Sequence, residues 1–120
     1  MDFQHSKEQK MLVNLADRLG REQFAAKSAR WDAKHEYPHE NVKALREAGL
    51  LGMTIPRKFG GQERPLIDVV LVIEQIAKYC GVTARIVVET NMGALGSIMA
   101  YGTEAQQREV ARRVLEDGDK

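Results

Sequence analysis

Apolar residues at Leu12, Leu15, Ala16 and Leu19 keep the i, i+3, i+4, i+7 rhythm of a helix with one buried face. Ser6 and Gln9 stand three apart just before it, the spacing of a capping box. The pattern runs past Phe24 toward Trp31, and Gly20 weakens it by about 1 kcal/mol relative to Ala without stopping it. Pro38 suits the first position of a second helix, "HENVKALREAG". Val42, Leu45 and Ala48 share one side of it, and Gly49 is placed as a left-handed C-terminal cap. "LLGMTIPRKFGG" holds Gly52, Pro56 and the pair Gly60-Gly61, so it reads as a compact connection. Pro65 opens and Gly81 closes the next stretch. Val69, Val70, Ile73, Ala77 and Cys80 form its broad stripe, with Leu71, Val72 and Ile76 beside them. Its β-branched content would suit a strand, but its length and end signals predict a buried helix. A fourth helix is predicted from about Thr83 to Tyr101, with Gly93 and Gly96 small enough to admit another backbone or a ligand. Thr103 and Gln106 make a second capping box and open a last helix to Gly118, with Val110, Val114 and Leu115 inward. The sum is an all-α fold: an orthogonal or up-down bundle of about five helices, one domain over residues 1–120.

Composition narrows the function. The chain of 120 residues is 43% hydrophobic and 29% charged, an ordinary globular balance with enough length for a core. Eighteen basic and 17 acidic residues leave a net charge of +1, which gives no footprint for nucleic acid or an anionic membrane. Cys80 is the single cysteine, so an internal disulfide and a cysteine metal cluster are excluded. It is expected to pack at the end of the third helix rather than to react. His5, His35 and His39 are scattered over polar segments and lack a third ligand, so no metal site is expected. Gly60-Gly61 has neither the preceding strand nor the following helix of a phosphate cradle and reads as a turn. Trp31 is expected at a core edge or an interdomain contact. "MDFQHSKEQK" is polar from the start, and no apolar run approaches the roughly 18 residues of a membrane span. A cytoplasmic protein without membrane attachment is the expectation.

The order of the segments carries a resemblance. "LREAGLLGMTIPRKFGG" resembles the stretch of acyl-CoA dehydrogenases written LxxxGLLGxxxPxxxGG. It is followed by "VIEQIAKYCG" and by "NMGALGSIMAYGTEAQQREV", which is similar to the family's YG-[ST]-xEQ turn and helix. The resemblance extends from about Phe3 to Lys120 and implies the family's N-terminal helical domain. In the family a β-domain and a C-terminal helical domain follow. Flavin adenine dinucleotide (FAD) lies between those later domains and a neighbouring subunit, commonly of a homotetramer. The catalytic base also comes later, so no catalytic residue and no tightly bound FAD are expected in these 120 residues alone.

Arg85 and Glu89 interrupt the apolar run of the fourth helix, four residues apart and therefore on one face. An ordinary i, i+4 ion pair is one reading, although the basic residue leads, which is the less favourable order. The resemblance supplies the other reading, because this helix lines the acyl-chain pocket in the family. An unpaired arginine in a dry channel would oppose a fatty tail. It would suit a short acyl-CoA ending in a carboxylate or sulfinate, gripped through two parallel hydrogen bonds. "ARIVVETNMGALG" resembles most the branch of 3-sulfinopropionyl-CoA desulfinases, which keep the dehydrogenase fold and FAD. The resemblance implies substrate contact for Arg85 and Glu89, with Asn91 and Met92 as further lining candidates. The rival account, from another functional class, is a stand-alone helical module that binds protein partners through exposed apolar surface.

Overall fold

The computed structural model describes residues 3–116, and among them every regular element is helical. Helix α1 spans Lys7–Leu19 and runs on through a π-helical turn, Gly20–Phe24, and a 3₁₀ turn, Ala25–Lys27, into α2, Ser28–Lys34. Then come α3, His39–Glu47, a 3₁₀ turn at Arg57–Phe59, α4, Leu66–Ala77, and α5, Gly81–Asn91. Helices α6, Ala94–Tyr101, and α7, Glu104–Leu115, complete the chain. The all-α expectation is met, with two of the expected helical stretches each divided in two.

Local chemistry explains most of the boundaries. Ser6 and Gln9 form both halves of a capping box at α1, and Thr103 and Gln106 do the same at α7. Helix α3 ends in a Schellman motif: Leu50 N–H reaches the Leu45 carbonyl at 2.9 Å and Gly49 N–H reaches Arg46 at 3.0 Å. Gly49 makes this turn with φ 76°, as its position predicts. Pro38 and Pro65 sit one position outside their helices, at the N-caps. The Gly118 end expected for the last helix lies outside the described residues.

Three boundaries differ from the sequence expectation. The first helix does not pass Gly20 unchanged. A Cβ there would fall 2.1 Å from Cδ2 of Tyr79, so the glycine is a point of close approach between α1 and the end of α4. Gly81 opens α5 rather than closing α4, and Cys80, expected at the end of the preceding helix, is the extended N-cap of α5. Cys80 is buried, as a packing role requires. The long helix expected over 83–101 breaks at Met92 and Gly93.

The main core gathers Leu12, Phe24, Trp31, Leu45, Val72 and Val87 with their neighbours from α1 to α5. A smaller cluster joins Ile55, Leu95 and Ala111, so α6 and α7 pack around the connection between α3 and α4. Gly61 makes that connection possible, because a Cβ would lie 2.0 Å from the Ile55 carbonyl oxygen. Asp68, 6% exposed, ties α4 to its surroundings: it accepts from Arg64 at 3.2 Å and from Gln9 at 3.1 Å. Gln9 thus caps α1 with its carbonyl and docks α4 with its amide.

Candidate functional site

Helix α5 sorts its residues by face. Thr83, Ala84, Ile86, Val87 and Asn91 are buried, so the opposite line of Val82, Arg85 and Glu89 points outward. The arginine therefore does not interrupt the core. Its side chain is 73% exposed and that of Glu89 is 40% exposed.

The two are paired. Arg85 Nε donates to Glu89 Oε1 at 2.7 Å, and Nη2 lies 2.7 Å from the same oxygen. The other carboxylate oxygen, Oε2, accepts the Ala94 backbone N–H at 3.2 Å. Ala94 is the first residue of α6, whose N-cap, Gly93, has no side chain to offer. Glu89 is thus the cap of the next helix as well as the partner of Arg85. This accounts for the unfavourable Arg-then-Glu order: the carboxylate is near the end of α5 but at the positive start of α6. The Arg85 guanidinium and then the Ala94 N–H hold the Glu89 carboxyl below the ordinary carboxylate range. The outer edge of the guanidinium, Nη1 with the far side of Nη2, has no hydrogen-bond partner among the described residues. It is a planar donor pair of the kind that grips a carboxylate or sulfinate.

The other two candidates lie elsewhere. Asn91 is 2% exposed, and its amide is used by the protein itself. Nδ2 donates to the Leu50 and Val87 carbonyls at 3.1 and 2.9 Å, while Oδ1 accepts Met53 N–H at 2.6 Å. Its own carbonyl accepts the Thr54 hydroxyl at 2.7 Å. Asn91 therefore fastens the connection after α3 onto α5, which is a structural task. Met92 is half-buried and packs on the main core. The structure brings Arg85 and Glu89 together and sets Asn91 on the opposite side of the helix.

Other features of the surface bear on the same question. A groove of about 960 Å³ runs along α1 past Met11, Leu15, Arg18 and Arg64, away from Arg85. Another, of about 760 Å³, is lined by Trp31, His35, Tyr37 and Val82. Trp31 belongs to the core, and its indole Nε1 is the one side-chain polar atom found buried without a partner among the described residues. Gly61 is packed against the Ile55 backbone, and Gly60 turns the chain with φ 90°, so the pair forms a turn.

The fold defines the class: an all-helical domain with a charged, outward-facing pair on its fifth helix. Residues 6–117 match the acyl-CoA dehydrogenase N-terminal domain, and the chain belongs to that family. A 3-sulfinopropanoyl-CoA desulfinase of Paraburkholderia xenovorans (strain LB400) is 46% identical over 118 residues, covering 98% of this chain and 30% of the relative. Another of the same name, from Cupriavidus necator, is 50% identical over 97 residues, covering 81% of this chain and 24% of the relative. These relatives place the chain in the desulfinase-like branch. The solved structure of butyryl-CoA dehydrogenase from Megasphaera elsdenii superposes with a TM-score of 0.85 at 26% identity, over 98% of this chain and 32% of that one. The chain thus spans about 30% of the length of the first of these curated relatives.

Proposed function

We propose that this chain is the N-terminal helical domain of an FAD-dependent enzyme that acts on a short acyl-CoA with an anionic tail. The domain forms one wall of the acyl pocket. Arg85 grips the tail, and Glu89 holds the arginine in place. The flavin and the catalytic base belong to other parts of the complete protein. The observation that carries this reading is the open outer edge of the Arg85 guanidinium, fixed from behind by Glu89. The desulfinase relatives support it, because a 3-sulfinopropanoyl group is a short chain ending in an anion. Fixing such a tail places the reacting carbons, which is a large part of what a positioning domain contributes.

The test is Arg85→Ala in the complete protein. A charged hydrogen-bonded contact is worth about 1.5–3 kcal/mol, so kcat/KM for an anionic short acyl-CoA is expected to fall roughly 10- to 100-fold. A neutral acyl-CoA of equal length should be affected only slightly. Equal loss with both substrates would overturn the assignment.

A further inference from the structure

Gly93 matters for what a side chain there would strike. A Cβ at this position would fall 2.3 Å from Glu89 Oε2 and 2.9 Å from Glu89 Cδ. The two nearest atoms belong to the far end of a flexible side chain, and the backbone Cα of Glu89 follows at 3.1 Å, so the carboxylate is the first group to give way. That carboxylate has two attachments: Oε2 on Ala94 N–H at 3.2 Å and Oε1 on Arg85 Nε at 2.7 Å. The niche at Gly93, the amide at Ala94 and the guanidinium at Arg85 therefore form one mechanical chain, with Glu89 as its link.

We propose that Gly93 is a positioning residue for Arg85: the space it leaves seats the Glu89 carboxylate, which fixes the guanidinium with its Nη edge outward and thereby sets selectivity for an anionic acyl tail. The inference rests on the reading of Arg85 given above. Its physical basis is pre-organisation. A free arginine has many rotamers to lose, and a guanidinium already tethered along one edge loses fewer of them on binding. Gly93 never touches the tail; it acts through Glu89. What the missing side chain supplies is empty volume next to the carboxylate.

Two measurements on the complete protein test this. The first needs no ligand: a crystal structure of Gly93→Ala. The expected result is a Glu89 carboxylate displaced from Ala94 N–H and an Arg85 side chain no longer bonded to it. A variant in which the backbone shifts and the Arg85–Glu89 bond survives would overturn the proposal. The second compares binding of succinyl-CoA with binding of butyryl-CoA. Gly93→Ala and Glu89→Ala should each lower the preference for succinyl-CoA by about tenfold, with butyryl-CoA binding almost unchanged. The double variant should be no worse than the worse single, because both act through the same carboxylate. Multiplying losses, or equal weakening of both ligands in Gly93→Ala, would contradict it. If Arg85→Ala leaves the preference unchanged, the reading of the acyl site fails; the crystal structure still decides whether Gly93 positions Arg85.

Discussion

Asn91 and Glu89 are two residues apart, yet they answer to different physics. Asn91 satisfies the Met53 N–H and the Leu50 carbonyl inside the protein. Asn91→Ala would leave these buried groups unpaired, at about 1–3 kcal/mol each. A loss of roughly 2–4 kcal/mol in urea unfolding is expected, against a change within about 0.5 kcal/mol for the exposed Arg85→Ala. If Asn91→Ala unfolds at the parent's midpoint, its role as a fastener is wrong. Charge on α7 offers a second residue-level expectation. Arg112 and then Arg113 donate to Glu109 and lower its carboxyl to about 2. A depressed carboxylate contributes stability that is present above its ordinary pKa of 4.5 and is lost as pH falls toward about 2. The carboxyl carbon of Glu109 should titrate near the lower end of that window in NMR. Replacing Arg112 and Arg113 by Gln should return it toward the ordinary range. Glu109 is solvent-exposed, so high salt should narrow the difference.

Helices α1 and α4 meet where one residue has no side chain. Tyr79 lies across Gly20 and donates its hydroxyl to Asp17, one turn earlier on α1. The Tyr79 hydroxyl first, then the Arg21 and Lys78 charges, lower the Asp17 carboxyl, and the Asp17 bond raises the Tyr79 phenol. By helix propensity alone, Gly20→Ala would stabilise by up to about 1 kcal/mol. The collision with a ring that is tethered at its far end reverses the sign, and a loss of about 1–3 kcal/mol is expected. In a Tyr79→Ala background the same substitution should become neutral or stabilising. Thermal unfolding of the four proteins closes the cycle, and a stabilised Gly20→Ala in the parent would refute the contact.

This junction shows where sequence pattern stops. Capping boxes at Ser6 and Thr103 and the left-handed Gly49 are local, so spacing alone reveals them. The Gly20–Tyr79 approach joins residues far apart in the chain, and a glycine in a helical stretch carries no label for its partner. The break at Met92–Gly93 was hidden for a related reason. Its cap is Glu89, on the preceding helix, rather than a Ser, Thr, Asp or Asn at the N-cap. At the candidate site, spacing was enough to pair Arg85 with Glu89. It could not show that Asn91 turns inward, because a polar residue near a glycine reads equally well as surface or as buried fastener.

At the scale of the whole molecule the chain is a slab, 41 × 40 × 20 Å. A thickness of 20 Å is about two helix diameters, so most helices have one side without a neighbouring layer. On α4 that outer side is apolar: Leu66, Ile67 and Val70 are 58, 53 and 47% exposed. They follow one another at the i, i+1, i+4 spacing of a single face, where an independent surface helix would carry charges. Contiguous exposed apolar surface drives association in water. The isolated 120-residue chain is therefore expected to associate with itself, with an apparent mass in sedimentation that rises with concentration. Ile67→Glu with Val70→Glu should suppress the rise. Both positions are exposed, so the helical signal in circular dichroism should be retained. The first of the two substitutions puts a carboxylate in the first turn of α4, at the favourable end of the helix dipole. In the complete protein, where the proposed remaining domains supply a second layer, the same pair of substitutions should weaken assembly instead of improving it. Opposite effects in the two settings would assign this face to contacts within the larger protein. A wild-type chain that stays monomeric at every concentration would remove the face from consideration.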